Sequence, residues 1–235
     1  KLRICLVGAE EIPWTTLTEA AHAFGPRGLT MAALTPAYGL AEATLAVTID
    51  RLDTPPEYLD VDADALAEGR VEPAEPGHPQ ARRLVSTGDE LRDVAVRIEP
   101  ATSEIVVRSN ALGSGYFANP ELSAARFRDG ELHTGDIGFL HEGRLFISGR
   151  DDDLLVIAGR NVYVHDVERK LADEPELREG NCAIVDVRDG DSRRVALVAE
   201  VIAHELDLEA LAARLYGRTL EANGFKRISD ALDAD

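Results

Sequence analysis

Residues 35–44 read Thr35-Pro36-Ala37-Tyr38-Gly39-Leu40-Ala41-Glu42-Ala43-Thr44. An aromatic residue followed by glycine sets a stackable ring beside exposed backbone. Glu42, a few residues on, is a hard oxygen ligand suited to Mg²⁺ on phosphates. The same run also suits a strand-to-helix turn, with Glu42 near a helix N-terminus where the dipole favours it. Upstream, residues 1–8 alternate weakly and end at Gly8, which predicts a strand and then a turn. Thr15 to Phe24 has helical spacing, with Leu17, Ala20, Ala21 and Phe24 on one face. Leu29 to Leu34 is a second short apolar run, ended by Thr35-Pro36. Strand, helix, strand is the order of an α/β layer. Gly8-Ala9-Glu10, at the first strand's end, lets a flat ligand approach the backbone or simply makes a turn.

Downstream the composition shifts. Asp50 to Leu84 holds Pro55, Pro56, Pro73, Pro76 and Pro79 among many acids and reads as a surface excursion with a short helix near Asp62–Glu68. Short strands follow at Val94–Ile98, Glu104–Arg108, Leu132–His133 and Phe139–Ile147, separated by glycine and Asp/Asn turns, as in a small β-rich subdomain. After a boundary near Gly149–Asp152 the pattern becomes β-α-β-β-α. A strand at Leu154–Ile157 leads through Gly159-Arg160-Asn161 to a helix near Asp166–Ala172. Strands at Ala183–Val187 and Arg194–Val201, turning at Asp189-Gly190-Asp191, precede an amphipathic helix from Leu208 to Ala222. This piece reads as a separate small α+β domain.

The 235 residues carry 25 Lys+Arg against 43 Asp+Glu, a net charge of -18, with 45% hydrophobic residues. That is a globular composition with room for one or two cores. The acidic balance argues against a nucleic-acid partner. No apolar run approaches the roughly 20 residues of a membrane span. The start reads as a buried strand, not a signal peptide. Cys5 and Cys182 both lie in apolar runs, which points to a reducing, cytoplasmic compartment and no structural zinc. Lysine is confined to Lys1, Lys170 and Lys226.

A third cluster is His133-Thr134-Gly135-Asp136, followed by Gly149-Arg150-Asp151-Asp152-Asp153. A carboxylate beside glycine can accept hydrogen bonds from both hydroxyls of a ribose. A nearby Arg pairs with phosphate or sugar oxygens. Three consecutive acids equally make an exposed turn.

Together and in this order, these stretches resemble the adenylate-forming superfamily of acyl- and aryl-activating enzymes, and within it the fatty acyl-AMP ligases most. Tyr38-Gly39-Leu40-Ala41-Glu42-Ala43-Thr44 is similar to that family's aromatic-Gly-x-x-Glu motif. Thr134-Gly135-Asp136 is similar to its ribose motif, and Gly149-Arg150-x-Asp152-Asp153 to its hinge motif, which Gly159-Arg160-Asn161 continues. The likeness runs from Gly8 to about Gly224.

The resemblance implies an α/β fold with a β-rich subdomain and a small α+β C-terminal domain, the fold of an adenylate-forming enzyme in incomplete form. Residues 1–149 would be the end of the large domain with an insertion at 50–84, residues 150–152 the hinge, and 153–235 the small domain, also incomplete. The implied activity is ATP-dependent conversion of a fatty acid to an acyl-adenylate, then transfer to an acyl carrier protein thiol. Coenzyme A is the alternative acceptor, and a non-catalytic interaction module the alternative class. ATP, its AMP product and Mg²⁺ are the implied cofactors. By carry-over, Gly8, Ala9 and Glu10 meet adenine and Tyr38 stacks on it. Gly39, Leu40 and Ala41 complete the nucleotide-binding motif, and Glu42 holds Mg²⁺ in the catalytic role. Asp136 binds the ribose hydroxyls with Arg150, Ile147 lines the adenosine side, and Asp152 is the hinge. The insertion would restrain the small domain.

Parts of the family pattern are missing. No Gly-Lys pair occurs, so neither the upstream phosphate loop nor the terminal catalytic Lys is present; Lys226, in Gly224-Phe225-Lys226-Arg227, comes too early for the latter. A fragment of a longer enzyme, unable to adenylate alone, is the expectation. Val156 stands where many relatives carry Lys, and Val162-Tyr163-Val164-His165 replaces a more polar run. His133 reads as structural, and His165 as a surface group or a residue at a helix N-terminus, rather than as catalytic. An ordinary dinucleotide-binding oxidoreductase is a poor reading, because no G-x-G-x-x-G stands in a βαβ context.

Overall fold

A computed structural model of the protein describes residues 2–75, 77–78, 81–157, 160–171, 174–189, 192–202 and 207–222. Its contacts divide into two units, Lys1–Asp152 and Asp153–Asp235.

The first unit opens with β1 (Cys5–Val7), α1 (Trp14–Phe24) and β2 (Leu34–Gly39). β1 and β2 pair in parallel, with Val7 opposite Pro36. Leu17 and Leu34, with Ala20, Ala21 and Leu29 beside them, form the cluster under α1, so the α/β layer stands as read. The apolar run Leu29–Leu34 is not itself the strand. It makes a 3-10 turn at Met31–Ala33, and β2 continues through Thr35-Pro36 to Gly39. Pro36 is tolerated because it lies at the last rung with β1 and offers only its carbonyl, which accepts the Asp50 N–H at 2.9 Å.

β3 (Ala46–Ile49) pairs antiparallel with β2. The 50–84 segment is not a bare surface excursion. It folds as β4 (Tyr58–Asp62), α2 (Ala63–Ala67) and β5 (Ala81–Val85), with β4 and β5 antiparallel. Asp62 caps α2 by accepting the Ala65 N–H at 2.8 Å. Val61, Leu66 and Leu84 are buried with Phe139 and Phe146, whose rings stack at 5.3 Å. The proline and acid content gave no sign of this buried apolar set.

β6 (Asp89–Glu90) closes the first sheet against β3. The second sheet holds β7 (Val94–Ile98) and β8 (Glu104–Ser109); after α3 (Pro120–Arg126) come β9 (Phe127–Arg128), β10 (Glu131–His141) and β11 (Arg144–Arg150). The expected single strand Phe139–Ile147 is in fact a hairpin: His141 faces Arg144 across Glu142-Gly143, both at positive φ (51° and 80°). Two such residues form the tight turn that matches strand twist. Tyr38, Val47, Val96, Ile105, Val107, Leu132 and Leu145 bury one another between the sheets.

The second unit holds β12 (Leu154–Ile157), β13 (Arg160–Tyr163), α4 (Val164–Leu171), β14 (Leu177–Asp189), β15 (Ser192–Val201) and α5 (Leu208–Ala222). Val167, Leu171, Ile184, Leu211 and Leu215 form its core. The helix predicted from Asp166 begins at Val164. Gly159, Gly190, Asp191 and the Gly224–Arg227 segment lie outside the described residues, as do the side chains of Asp152, Val156, Val162, Tyr163 and His165. Among the described residues, no helix is long and apolar enough to cross a membrane.

Candidate functional site

The site begins with an irregularity in β10. Pairing with β8 runs Leu132↔Val107 and His133↔Val106, then resumes at Ile137↔Glu104. Thr134-Gly135-Asp136 therefore bulges from the ladder, a device that re-aims a side chain. Gly135 takes φ +75°, which only glycine adopts freely. The Thr134 hydroxyl donates to the Ile105 carbonyl at 2.7 Å and accepts the Asp136 N–H at 3.0 Å. Glu104 Oε1 accepts the Gly135 N–H at 2.9 Å, and its Oε2 lies 3.0 Å from His133 Nδ1. His133 thus supports the bulge.

The β10–β11 hairpin then sets Asp136 directly opposite Arg150. Arg150 Nη1 lies 3.2 Å from Asp136 Oδ1. From β2, the Tyr38 hydroxyl donates to Asp136 Oδ2 at 2.5 Å. Tyr38 and Asp136 are only 7% and 8% exposed, so both act in a medium poor in water. Burial pushes the Asp136 carboxyl above its ordinary range; the Tyr38 hydrogen bond and the Arg150 and Arg126 charges oppose this, and Glu42 adds to it. Burial, then the Asp136 charge, raises the Tyr38 hydroxyl far above its usual value, so it stays a donor.

Glu42 sits in a 3-10 turn, Ala41–Ala43, at the end of the aromatic-glycine run. This is a single turn, not the start of an α-helix. Tyr116 donates its hydroxyl to Glu42 Oε1 at 2.6 Å. Burial first, then the Glu42 hydrogen bond and charge, push the Tyr116 hydroxyl up to about 12. Gly39 is required by packing: a Cβ there would stand 1.8 Å from the Leu45 carbonyl oxygen.

The remaining expected residues fall around this group. Gly8, Ala9 and Glu10 are exposed just beyond β1, and a Cβ on Gly8 would come within 2.5 Å of the Ala37 carbonyl oxygen, next to Tyr38. Leu40 and Ile147 are partly buried against the cluster that contains Tyr38, while Ala41 is exposed. Asp152 lies in the turn Asp151–Asp153, where the two units meet in sequence.

Direct contacts thus join Tyr38, Asp136 and Arg150, and the Glu42 charge reaches Asp136 closely enough to push its carboxyl further up. Sequence reading missed Tyr116, Arg126 and Glu104. For Tyr116 a signal existed, since Gly113-Ser114-Gly115-Tyr116 repeats the glycine-beside-aromatic pattern. Glu104 and Arg126 carried none.

The carboxylate of Asp136, with an Arg beside it, suits a sugar diol. Glu42 suits a Mg²⁺ ion: one oxygen is held by Tyr116, and the other has no protein hydrogen bond among the described residues. No group of three or more His, Cys, Asp or Glu side chains is placed to hold a metal among the described residues. A lone carboxylate fits a hydrated Mg²⁺ shared with phosphates, not a cation caged by protein.

No family profile matches the chain. It is 34% identical over 215 residues to the 4-hydroxyphenylalkanoate adenylyltransferase of Mycobacterium marinum, covering 82% of this chain and 34% of that protein. It is 32% identical over 237 residues to the medium-chain-fatty-acid–[acyl-carrier-protein] ligase JamA of Moorena producens, covering 92% of this chain and 38% of that one. Among solved structures, one from work on fatty acyl-adenylate ligases of E. coli and L. pneumophila superposes with a TM-score of 0.82 at 26% identity, covering 95% of this chain and 42% of that chain. The chain belongs to the adenylate-forming superfamily of acyl-activating enzymes. Fatty acyl-AMP or acyl-adenylate ligases are among the proteins it matches in sequence and structure, and the chain spans little more than a third of the curated relatives' length.

Proposed function

We propose that this chain is the adenosine-binding and hinge-bearing part of an enzyme that activates a fatty acid with ATP and passes the acyl group to an acyl carrier protein thiol. The observation that carries the reading is the meeting of Tyr38, Asp136 and Arg150 at hydrogen-bond distance, with the Glu42 charge in electrostatic reach of Asp136. The relatives named for acyl-AMP and carrier-protein ligation support the substrate and the acceptor.

In this reading the Asp136 carboxylate accepts the ribose hydroxyls. Tyr38 and Arg150 use two of its roughly four lone-pair positions, so acceptor capacity remains. Arg150 is about half exposed and has further N–H groups for sugar or phosphate oxygens. The adenine lies along Gly8-Ala9-Glu10 and against Tyr38, flanked by Gly39, Leu40, Ala41 and Ile147. Glu42 would hold Mg²⁺, which supplies charge neutralisation on the phosphates.

The fatty acid carboxylate attacks the α-phosphorus of ATP. The bond to the β-phosphate breaks, and pyrophosphate leaves with its electron pair. Two anions must approach, so a fixed nucleotide lowers the barrier chiefly by holding the reacting atoms in line. The thiol then attacks the acyl carbonyl and AMP departs. Rotation about Asp152 between these half-reactions lets one cleft serve both.

ATP–pyrophosphate exchange with a panel of fatty acids on the complete protein tests the reading. Exchange that depends on a fatty acid is expected. Exchange with no acid in the panel refutes the activity, and turnover with free coenzyme A in place of the carrier thiol refutes the acceptor.

A further inference from the structure

Three hydrogen bonds stitch the aromatic-glycine run to a loop about 70 residues away in sequence. The Gly113 N–H donates to the Glu42 carbonyl at 2.7 Å, the Thr44 hydroxyl to the Ala111 carbonyl at 2.7 Å, and the Tyr116 hydroxyl to Glu42 Oε1 at 2.6 Å. The first two hold the chain immediately after the Glu42 side chain, one through the Glu42 carbonyl and one through the Thr44 hydroxyl. Thr44 takes φ 69° and ψ -50°, a conformation a β-branched residue adopts only when its surroundings impose it. The loop itself is anchored. The Tyr116 N–H donates to Ser123 Oγ at 2.7 Å, and Ser123 Oγ donates to the Asn119 carbonyl at 2.7 Å. The Tyr116 ring meets Phe127 edge-on at 5.6 Å. A glutamate side chain left free loses substantial rotamer entropy when it is immobilised on a ligand. Here the loss is taken before any ligand arrives, which is how preorganisation raises affinity.

We propose that Tyr116 is a positioning residue for Glu42: it clamps one carboxylate oxygen so that the other is presented to a Mg²⁺-bound polyphosphate. The proposal rests on the nucleotide-site reading above and adds to it a residue outside its motifs. Its signature is selectivity for the metal-bearing ligand, because AMP without metal engages Asp136 and Arg150 but has no need of Glu42.

The test is calorimetric titration of the complete protein with MgATP and, separately, with AMP in metal chelator. Tyr116→Phe removes only the hydroxyl and retains the ring on Phe127. Its MgATP affinity should fall about tenfold, as expected for a lost charge-assisted hydrogen bond. AMP affinity should stay within about twofold, the scatter of independent sites. Glu42→Gln should show the same pattern, and Tyr116→Phe added to it should bring almost no further loss. Equal losses for both ligands, tighter MgATP binding, or full additivity with Glu42→Gln would overturn the positioning role. Failure of the unaltered protein to bind AMP would remove the nucleotide site itself, and the proposal with it.

Discussion

Replacing Asp136 by Ala in the complete protein probes the centre of the site. Asp136 is 8% exposed, accepts the Tyr38 hydroxyl at 2.5 Å and pairs with Arg150 at 3.2 Å. On the proposed reading its loss takes a charged acceptor from the ribose, worth about 1.5–3 kcal/mol. At about 1.4 kcal/mol per decade that is roughly ten- to 150-fold in nucleotide affinity. The substitution also leaves the buried Tyr38 hydroxyl without its acceptor, about 1–3 kcal/mol of stability. The two effects separate in the double variant Tyr38→Phe/Asp136→Ala. Removing the orphaned donor should recover part of the melting temperature and none of the affinity. Thermal denaturation, AMP calorimetry and ATP–pyrophosphate exchange read these quantities. A folded Asp136→Ala protein with unchanged exchange and unchanged AMP affinity would refute the ribose assignment.

Other outcomes follow from the same geometry. Burial lifts the folded-state Asp136 carboxyl above its ordinary value of 3.8, so the folded protein binds more protons than the unfolded chain between the two values. Its contribution to stability is therefore present below the unfolded value and lost as pH rises through the folded one. AMP affinity should run the other way, falling on acidification within that window as the carboxylate is neutralised; Asp136→Asn should flatten the profile, and calorimetry across pH checks it. Leu84→Ala should cost about 2–5 kcal/mol, because Leu84 is 2% exposed and packs with Phe139 and Phe146. A melting temperature close to the parent's would mean that the 50–84 segment does not share that core. Gly39→Ala, whose Cβ would stand 1.8 Å from a carbonyl oxygen, should destabilise by about 2 kcal/mol or more in denaturant unfolding. Asp152→Pro should retain fatty-acid-dependent pyrophosphate exchange but slow thioester formation by about tenfold or more if rotation there gates the second half-reaction; equal rates for both variant and parent would argue against a hinge at Asp152.

Much of the fold was legible locally. The helical spacing of Leu17, Ala20 and Ala21 and the alternation of Val94–Ile98 are short-range patterns, and each became the element read. Errors came where a local signal had a longer-range meaning. Thr35-Pro36 looked like a terminator because proline lacks a donor, yet Pro36 lies where the pairing with β1 ends. Glu142-Gly143 lacks the usual Asn-Gly spelling, so residues 139–147 look like one strand although β10 and β11 make a hairpin there. The prolines of the 50–84 segment hid Val61, Leu66 and Leu84, whose burial depends on two phenylalanines more than 50 residues downstream.

By itself, the order of short motifs determined the superfamily and singled out Tyr38, Glu42, Asp136 and Arg150 as the candidate chemistry-bearing groups. Such motifs are contiguous, and their residue types are constrained by the ligand atoms they would meet. Only the tertiary structure decided that Tyr38 donates to a carboxylate 98 positions away, that a bulge aims this carboxylate at Arg150, and that Tyr116 grips Glu42. Those facts follow from strand register and from burial between two sheets. Register is a property of paired segments, and the raised proton affinity of Asp136 is a property of the medium around it; neither is written in any single stretch of chain.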